Sequence, residues 1–224
     1  MRVVLPLAVV LALGLGACAS QEPNPPLQRA AVKDVVIGVE RGDVTSELLA
    51  ELYAQALHRK GRMTEFRDLK ELAQTDAGQP VDFVAQGQID LTVSCTGAVL
   101  ALQDPNKAGE LSTELQKQKQ QEWSPAIQQD WSDATYEAMV GTLPGDVDAA
   151  DPSRASSCKN SDTELPLSIV PIYKADVLNR QQRVGLNWVS GSISNEKLQE
   201  LRDQTKSQEL GAVVAAYLDE VGLH

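Results

Sequence analysis

The sequence has few of the residues on which most enzymes depend for catalysis. Its two histidines are His58 and His224, and neither neighbours a plausible nucleophile in the sequence. No Gly-x-Ser-x-Gly, Walker or zinc-binding motif occurs. Carboxylates are abundant, but no spacing among them marks an acid–base pair. We therefore predict that the protein is not an enzyme, and we assign no catalytic residue, metal or cofactor.

The sequence also has few basic residues relative to acidic ones. It holds 20 Lys and Arg against 31 Asp and Glu, which gives a formal net charge of −11. Such a charge argues against a nucleic-acid partner and against electrostatic adhesion to an anionic lipid surface.

Long apolar runs are missing except at the N-terminus, where Arg2 precedes the run Val3–Leu15. This run is shorter than the roughly 20 apolar residues that a membrane-spanning helix needs, and it is typical of a secretory signal peptide covering residues 1–17. The step Leu15-Gly16-Ala17-Cys18 resembles the bacterial lipoprotein signal. That resemblance implies cleavage before Cys18, acylation of its sulfur, and attachment to the extracytoplasmic face of the cell membrane. The alternative is an ordinary secretory signal with an incidental cysteine.

The segment after Cys18 has no apolar periodicity and contains Pro23, Pro25 and Pro26. This composition predicts an extended, solvated tether over residues 18–32. A globular domain would then cover residues 33–224.

Cysteines are scarce, and their number is informative. If Cys18 is lipidated, only Cys95 and Cys158 remain. In an extracytoplasmic chain two leftover cysteines favour a disulfide, and two free thiols are the alternative. Closing a loop of about 60 residues would stabilise the fold by about 4 kcal/mol in the chain-entropy model.

Short β-branched runs alternate with amphipathic segments, which predicts an α/β fold with a mostly parallel sheet. Pro171 lies inside the last run and should end that strand or place it at an edge of the sheet. The predicted strands are Val35–Val39, Thr64–Leu69, Ile89–Val93 and Leu167–Ile172. The predicted helices are 45–60, 81–86, one opening at Thr96, one starting after Ser124 at Pro125, 174–180, 196–206, and a last one capped by Ser207.

Three blocks in this order resemble the periplasmic glycine betaine, choline and carnitine binding proteins of osmoprotectant ABC transporters. They are Val36–Gly38 with Glu51–Leu57; Gly87–Leu91 with Thr96-Gly97; and Pro171–Leu178 with Ile193–Leu201 and Val213–Leu223. The resemblance implies a periplasmic-binding-protein-like α/β fold of type II, with a ligand cleft between two lobes. It also implies delivery of the ligand to an ABC permease in the membrane.

The sequence departs from that family in two ways. Thr92 and Cys95 stand where the family usually has aromatic residues, and aromatics make up only 4% of the chain. The second lobe is also short. We expect a first lobe formed by residues 33–101 and 164–224, and an inserted, reduced and largely helical lobe over 102–163. A helical hairpin with a long loop is the expected form of this insert.

Candidate ligand residues follow two of the predicted strands. Glu40, Asp43 and Thr45 lie in the first strand–helix loop, where open α/β sheets bind ligands. Thr96 and Gly97 open a helix, whose backbone N–H groups could hold a carboxylate. Solvated loop carboxylates and a plain helix cap are the alternatives.

Aromatic residues of the insert could form a rebuilt cation cage, since Trp131, Trp123 and Tyr136 all lie there; the alternative is that they are core residues. The sequence therefore favours a lipid-anchored binding protein for a small zwitterionic or amine solute, with weak or no binding of glycine betaine. The alternative is a degenerate relative that serves as an interaction lipoprotein of the envelope or of a transporter.

Overall fold

A computed structural model describes residues 33–156, 158 and 163–224. Cys18, the signal segment and the tether lie outside these residues. No helix in the described part of the chain is both long enough and apolar enough to cross a membrane.

The described strands form one five-stranded sheet in the order β2-β1-β3-β5-β4. The strands are β1 (Val35–Val39), β2 (Thr64–Asp68), β3 (Leu91–Cys95), β4 (Val147–Ala149) and β5 (Ile169–Lys174). β2, β1 and β3 are parallel, whereas β5 runs antiparallel to both β3 and β4. The α/β class is confirmed, but the sheet is mixed rather than mostly parallel. Apolar runs indicate strands without fixing their direction, and the return of the chain into β5 reverses it.

Pro171 lies inside β5, although we expected it to end that strand or place it at an edge. β5 lies between β3 and β4. The Pro171 carbonyl accepts from the Ala150 N–H at 2.9 Å, so the backbone of Pro171 faces the β4 side. Ala150 directly follows the last residue of β4. The hydrogen bond that proline cannot donate would therefore lie beyond the end of that short edge strand. A central strand tolerates the residue at this position for that reason.

Most predicted helices are found within a few residues of their expected bounds. The expected helix 174–180 is wrong: Lys174 ends β5, and the next helix begins at Arg180 after the cap residue Asn179. The last helix is capped by Glu209 and not by Ser207. The helices of the described residues are α1 (Val44–Arg59), α2 (Leu69–Thr75), α3 (Pro80–Ala85), α4 (Thr96–Gln103), α5 (Pro105–Gln121), α6 (Pro125–Val140), α7 (Arg180–Ser192), α8 (Asn195–Gln204) and α9 (Leu210–Glu220).

Helices cover both faces of the sheet, which explains why β1 is apolar at every position except Gly38. Val35, Ile37 and Val39 pack into a core with α1, α7, α8 and α9. Val36 points to the opposite face and packs into a second core with α3, α4, α5 and α6. A strand buried on both faces reads as a continuous apolar run rather than an alternating one.

The segment 102–163, expected to form a reduced lobe, contributes α5, α6 and β4. The α5–α6 hairpin places Leu115 and Met139 in the second core. β4 pairs with β5 and extends the sheet. The insert therefore adds a strand to the sheet beside β5 and packs its helical hairpin on α4.

Candidate ligand-binding site

The N-terminus of α4 lies where the carboxyl end of β3 meets the start of β5. We predicted that the N–H groups of Thr96 and Gly97 could hold a carboxylate. In the structure they donate to the carbonyl oxygens of Ser168 and Pro166, each at 3.0 Å. The Thr96 hydroxyl also donates to the Pro166 carbonyl, at 2.9 Å. Residues 163–168, which we call the strap, therefore occupy the donors that a ligand would have used.

Gly97 allows the strap to lie against α4. A Cβ atom at this position would stand 2.7 Å from the Pro166 carbonyl oxygen and 2.9 Å from the Leu165 Cβ. Both distances are shorter than a normal contact, so a larger residue would have to displace the strap. The glycine that resembles the family motif here serves a close approach of the chain to itself.

The predicted disulfide between Cys95 and Cys158 is confirmed, with Cα atoms 6.0 Å apart. It links the last residue of β3 to the chain just before the strap. An isolated bridge between Ser156 and Ser168 holds the same region to the start of β5. Two cross-links, one covalent and one hydrogen-bonded, thus hold residues 156 and 158, which precede the strap, at this end of the sheet.

Three of the predicted ligand residues lie in the loop after β1 or in the first turn of α1, and each has a structural role there. Asp43 is the N-cap of α1, and its Oδ1 accepts from the Ser46 N–H at 2.8 Å. The Glu40 carboxylate lies 3.3 Å from the Lys70 ammonium. Thr45 is buried in the first turn of α1. The structure therefore gives the loop carboxylates partners within the protein.

A pocket of about 260 Å³ lies beside the strap, with the α5–α6 hairpin on its other side. It contains two cationic side chains, Lys119 and Arg154, and one carboxylate, Glu164. None of the six predicted ligand residues lines it. Its lining residues are Leu115, Lys119, Trp123, Gln128, Ser132, Arg154, Ser156, 164–168 and Asn195.

Trp123 is the aromatic residue of the pocket, and its exposed fraction is 41%. The Lys119 ammonium lies 5.5 Å from the centre of its ring. An ammonium ligand would therefore compete with Lys119 for the indole face.

The other two aromatic candidates of the insert lie elsewhere. Trp131 and Tyr136 pack against the second core. Burial raises the pKa of Tyr136, and the carboxylates of Asp151 and Asp148 raise it further. These two side chains are partly buried against the core, which is close to the alternative that the sequence left open.

Sequence reasoning missed Lys119, Arg154 and Glu164. They belong to the Gln- and Lys-rich hairpin, to the long loop after it, and to the strap. Their charges were visible in the sequence, but no spacing or motif connects residues so far apart. Only the packing of the hairpin beside the strap brings them to one pocket.

No protein-family model matches the chain, and no curated protein matches it. The fold matches those of fifteen solved chains. One of them is the apo form of YehZ from Escherichia coli, with a TM-score of 0.58 and 12% sequence identity. That alignment covers 86% of this chain and 100% of the YehZ chain. At such low identity the likeness shows a shared α/β fold.

Proposed function

We propose that this chain is a non-catalytic, lipid-anchored solute-binding protein on the extracytoplasmic face of the cell membrane. Its solute is a small zwitterion of the quaternary-amine or amino-acid class, passed to an ABC-type permease. The sequence blocks that resemble osmoprotectant-binding proteins support this proposal. The shared fold with YehZ, a protein solved in an apo form, is consistent with it.

One observation carries the binding role: cations and a carboxylate line the same small pocket. Arg154 offers a planar fork that matches a carboxylate, and Glu164 offers the opposite charge to an ammonium. Carboxylate and ammonium lie close together in a small zwitterion, so one molecule satisfies both. Lys119, Arg154 and Glu164 are all exposed, so a cation alone or an anion alone would leave part of this charge paired only with water.

The size of the pocket is suited to a small zwitterion. Its volume of about 260 Å³ lies just below the range of roughly 300–1,000 Å³ that is common for drug-sized ligands. Solutes the size of an amino acid or betaine fit this volume. Lys119 already lies over Trp123, so a quaternary ammonium gains less cation–π attraction here than at a free ring. We therefore expect primary or secondary amino acids to bind more tightly than glycine betaine.

Calorimetry on the purified full chain tests this proposal with glycine betaine, choline, carnitine, proline betaine and amino acids. Arg154→Gln and Glu164→Gln should each weaken the best ligand by about 10- to 150-fold, since a charge-assisted hydrogen bond contributes about 1.5–3 kcal/mol. Lys107→Gln, an exposed substitution at the start of α5, is the matched control and should leave the affinity unchanged. Failure of every solute to bind, or equal loss in the control, would reject a zwitterion pocket.

The anchor is tested separately through Cys18. Metabolic labelling with a fatty-acid probe should mark the wild-type protein and leave Cys18→Ala unlabelled. Cys18→Ala should also appear as released protein or as uncleaved precursor. Label retained on the variant would contradict the assignment.

The closed N-terminus of α4 favours a second candidate function, an interaction lipoprotein that binds no solute. The strap fills the position where we expected a ligand carboxylate. A protein that no longer binds a ligand can use these N–H groups to hold its own chain. In that case no solute would shift the melting temperature, and crosslinking on intact cells would recover a protein that contacts the chain.

A further inference from the structure

The described residues begin at Lys33, next to the amino end of β1, so the tether that we propose for residues 18–32 would join the domain at this end of the sheet. The Val35 N–H donates to the Met63 carbonyl at 2.9 Å, and the Arg62 N–H donates to the Leu57 carbonyl at 2.9 Å. The C-terminus of α1 therefore lies beside the point where the tether joins the domain. The candidate pocket lies at the opposite, carboxyl end of β3.

α7 starts at the same end of the domain. Leu91, the first residue of β3, pairs with Tyr173 near the end of β5, and Arg180 opens α7 soon afterwards. α7 also packs closely on the end of α1, because a Cβ atom at Gly185 would lie 3.2 Å from the Lys60 Cγ.

We call five residues from the end of α1 and from α7 the tether-end patch: Arg59, Lys60, Arg180, Val184 and Trp188. Arg180, Val184 and Trp188 follow a four-residue spacing and share one face of α7. The exposed fractions of Val184 and Trp188 are 53% and 49%. Arg59, Lys60, Arg180 and Val184 line one open groove. The Trp188 indole N–H donates to the Val221 carbonyl at 3.0 Å, which fixes the ring at the surface.

The patch carries three cationic side chains, Arg59, Lys60 and Arg180, on a chain whose net charge is −11. Arg59 pairs with Asp219 at 2.7 Å. Lys60 donates one hydrogen bond to the His224 carbonyl at 2.9 Å. Among the described residues neither Lys60 nor Arg180 has a side-chain carboxylate within 4.0 Å. Arg180 is exposed, and Lys60 is half-buried.

We propose that the tether-end patch docks on the headgroups of an anionic membrane surface, an inference that rests on the proposed lipid anchor. Lys60 and Arg180 pair with lipid phosphates, and Trp188 and Val184 enter the interface, where an amphipathic indole ring is favoured. Fully extended, residues 18–32 span at most about 50 Å. The tether thus keeps the patch near the bilayer, and weak contacts suffice to hold it there. The net charge of the chain argued against such adhesion, but the charge is unevenly distributed.

Docking in this orientation turns the carboxyl end of β3 away from the bilayer. The candidate pocket beside the strap then faces the extracytoplasmic medium, from which a solute would arrive. The protein must undock before this pocket can face a permease in the membrane.

Tryptophan fluorescence on vesicles tests the docking. The protein purified from the membrane fraction is added to vesicles of brominated phosphatidylcholine, with or without one quarter phosphatidylglycerol. We expect stronger quenching with phosphatidylglycerol, and we expect Trp188→Phe and 0.5 M salt each to remove that difference. Lys60→Gln with Arg180→Gln should lower the ratio of docked to undocked protein roughly 30-fold, about fivefold for each cation near the surface. The control pair Lys107→Gln with Lys117→Gln, on the opposite side of the sheet, should have no effect.

Equal quenching on both vesicle types, or equal loss in the control pair, would overturn the docking. So would a protein crosslinked to the patch without any quenching of Trp188, because the partner would then be a protein. The anchor is read independently by the fatty-acid label. If the protein carries the fatty-acid label but Trp188 is not quenched, only the docking is refuted. If the protein is unlabelled, sediments with phosphatidylglycerol vesicles and no longer does so as the double variant, only the anchor is refuted.

Discussion

Replacing Gly97 by alanine should destabilise the protein by forcing the strap away from α4. The new Cβ atom would lie 2.7 Å from the Pro166 carbonyl oxygen, which is backbone and cannot rotate away. That oxygen also accepts from the Gly97 N–H at 3.0 Å, so moving it weakens the hydrogen bond that seats the strap. Overpacking of this kind costs about 1–3 kcal/mol, and the better helix propensity of alanine returns up to about 1 kcal/mol.

The expected net loss is about 1–2 kcal/mol in the free energy of unfolding. For a domain of this size it corresponds to a fall in melting temperature of roughly 2–8 °C. Urea denaturation and thermal melting of Gly97→Ala measure both quantities. Gly109→Ala is the matched control, because that helical glycine has no atom within 4 Å of the added Cβ. The control should gain up to about 1 kcal/mol. If Gly97→Ala were as stable as Gly109→Ala, the strap would not be seated as described.

Three further predictions concern stability. Cys158→Ser should lower the free energy of unfolding by about 4 kcal/mol, because it opens a loop between residues 63 positions apart. Two alkylated thiols in native, unreduced wild-type protein would instead rule the bond out. Asp43→Ala should cost about 1 kcal/mol through the lost cap of α1, and an unchanged melting temperature would contradict the capping role. Burial raises the pKa of Tyr173 to about 12, whereas an unfolded tyrosine titrates near about 10. The neutral phenol therefore stabilises the fold fully below about pH 10, and that contribution is lost as the pH rises toward 12. Urea melts at pH 9 and 11.5 should show a smaller decrease for Tyr173→Phe than for the wild type, and equal decreases would refute this assignment.

Local chemistry made most of the helix and strand positions predictable. Ser124 followed by Pro125 indicated a helix start, and the Ser124 side chain accepts from the Ile127 N–H there. The predicted helix start at residue 174 was wrong because another local signal determines where this helix begins. Asn179 and Gln182 form a capping box, which delays the helix expected at 174 until Arg180.

The candidate site was less predictable than the fold. The chain order correctly placed Thr96 and Gly97 at the start of a helix after a strand. It gave no indication that Pro166 and Ser168, about 70 residues later, would take their hydrogen bonds. A helix N-terminus is a binding site only if nothing in the protein covers it, and that depends on the whole chain path.

The sequence by itself determined the class of fold, the disulfide partners and the first residues of several helices, because these depend on composition, on residue count and on neighbours along the chain. The tertiary structure alone decided the direction of β5, the closing of the α4 N-terminus by the strap, and the meeting of Arg154, Glu164 and Lys119 in one pocket. It also decided that Lys60, Arg180 and Trp188 share a basic surface on an acidic chain. These features arise from contacts between residues distant in sequence, and such contacts follow from how the layers pack rather than from any local pattern.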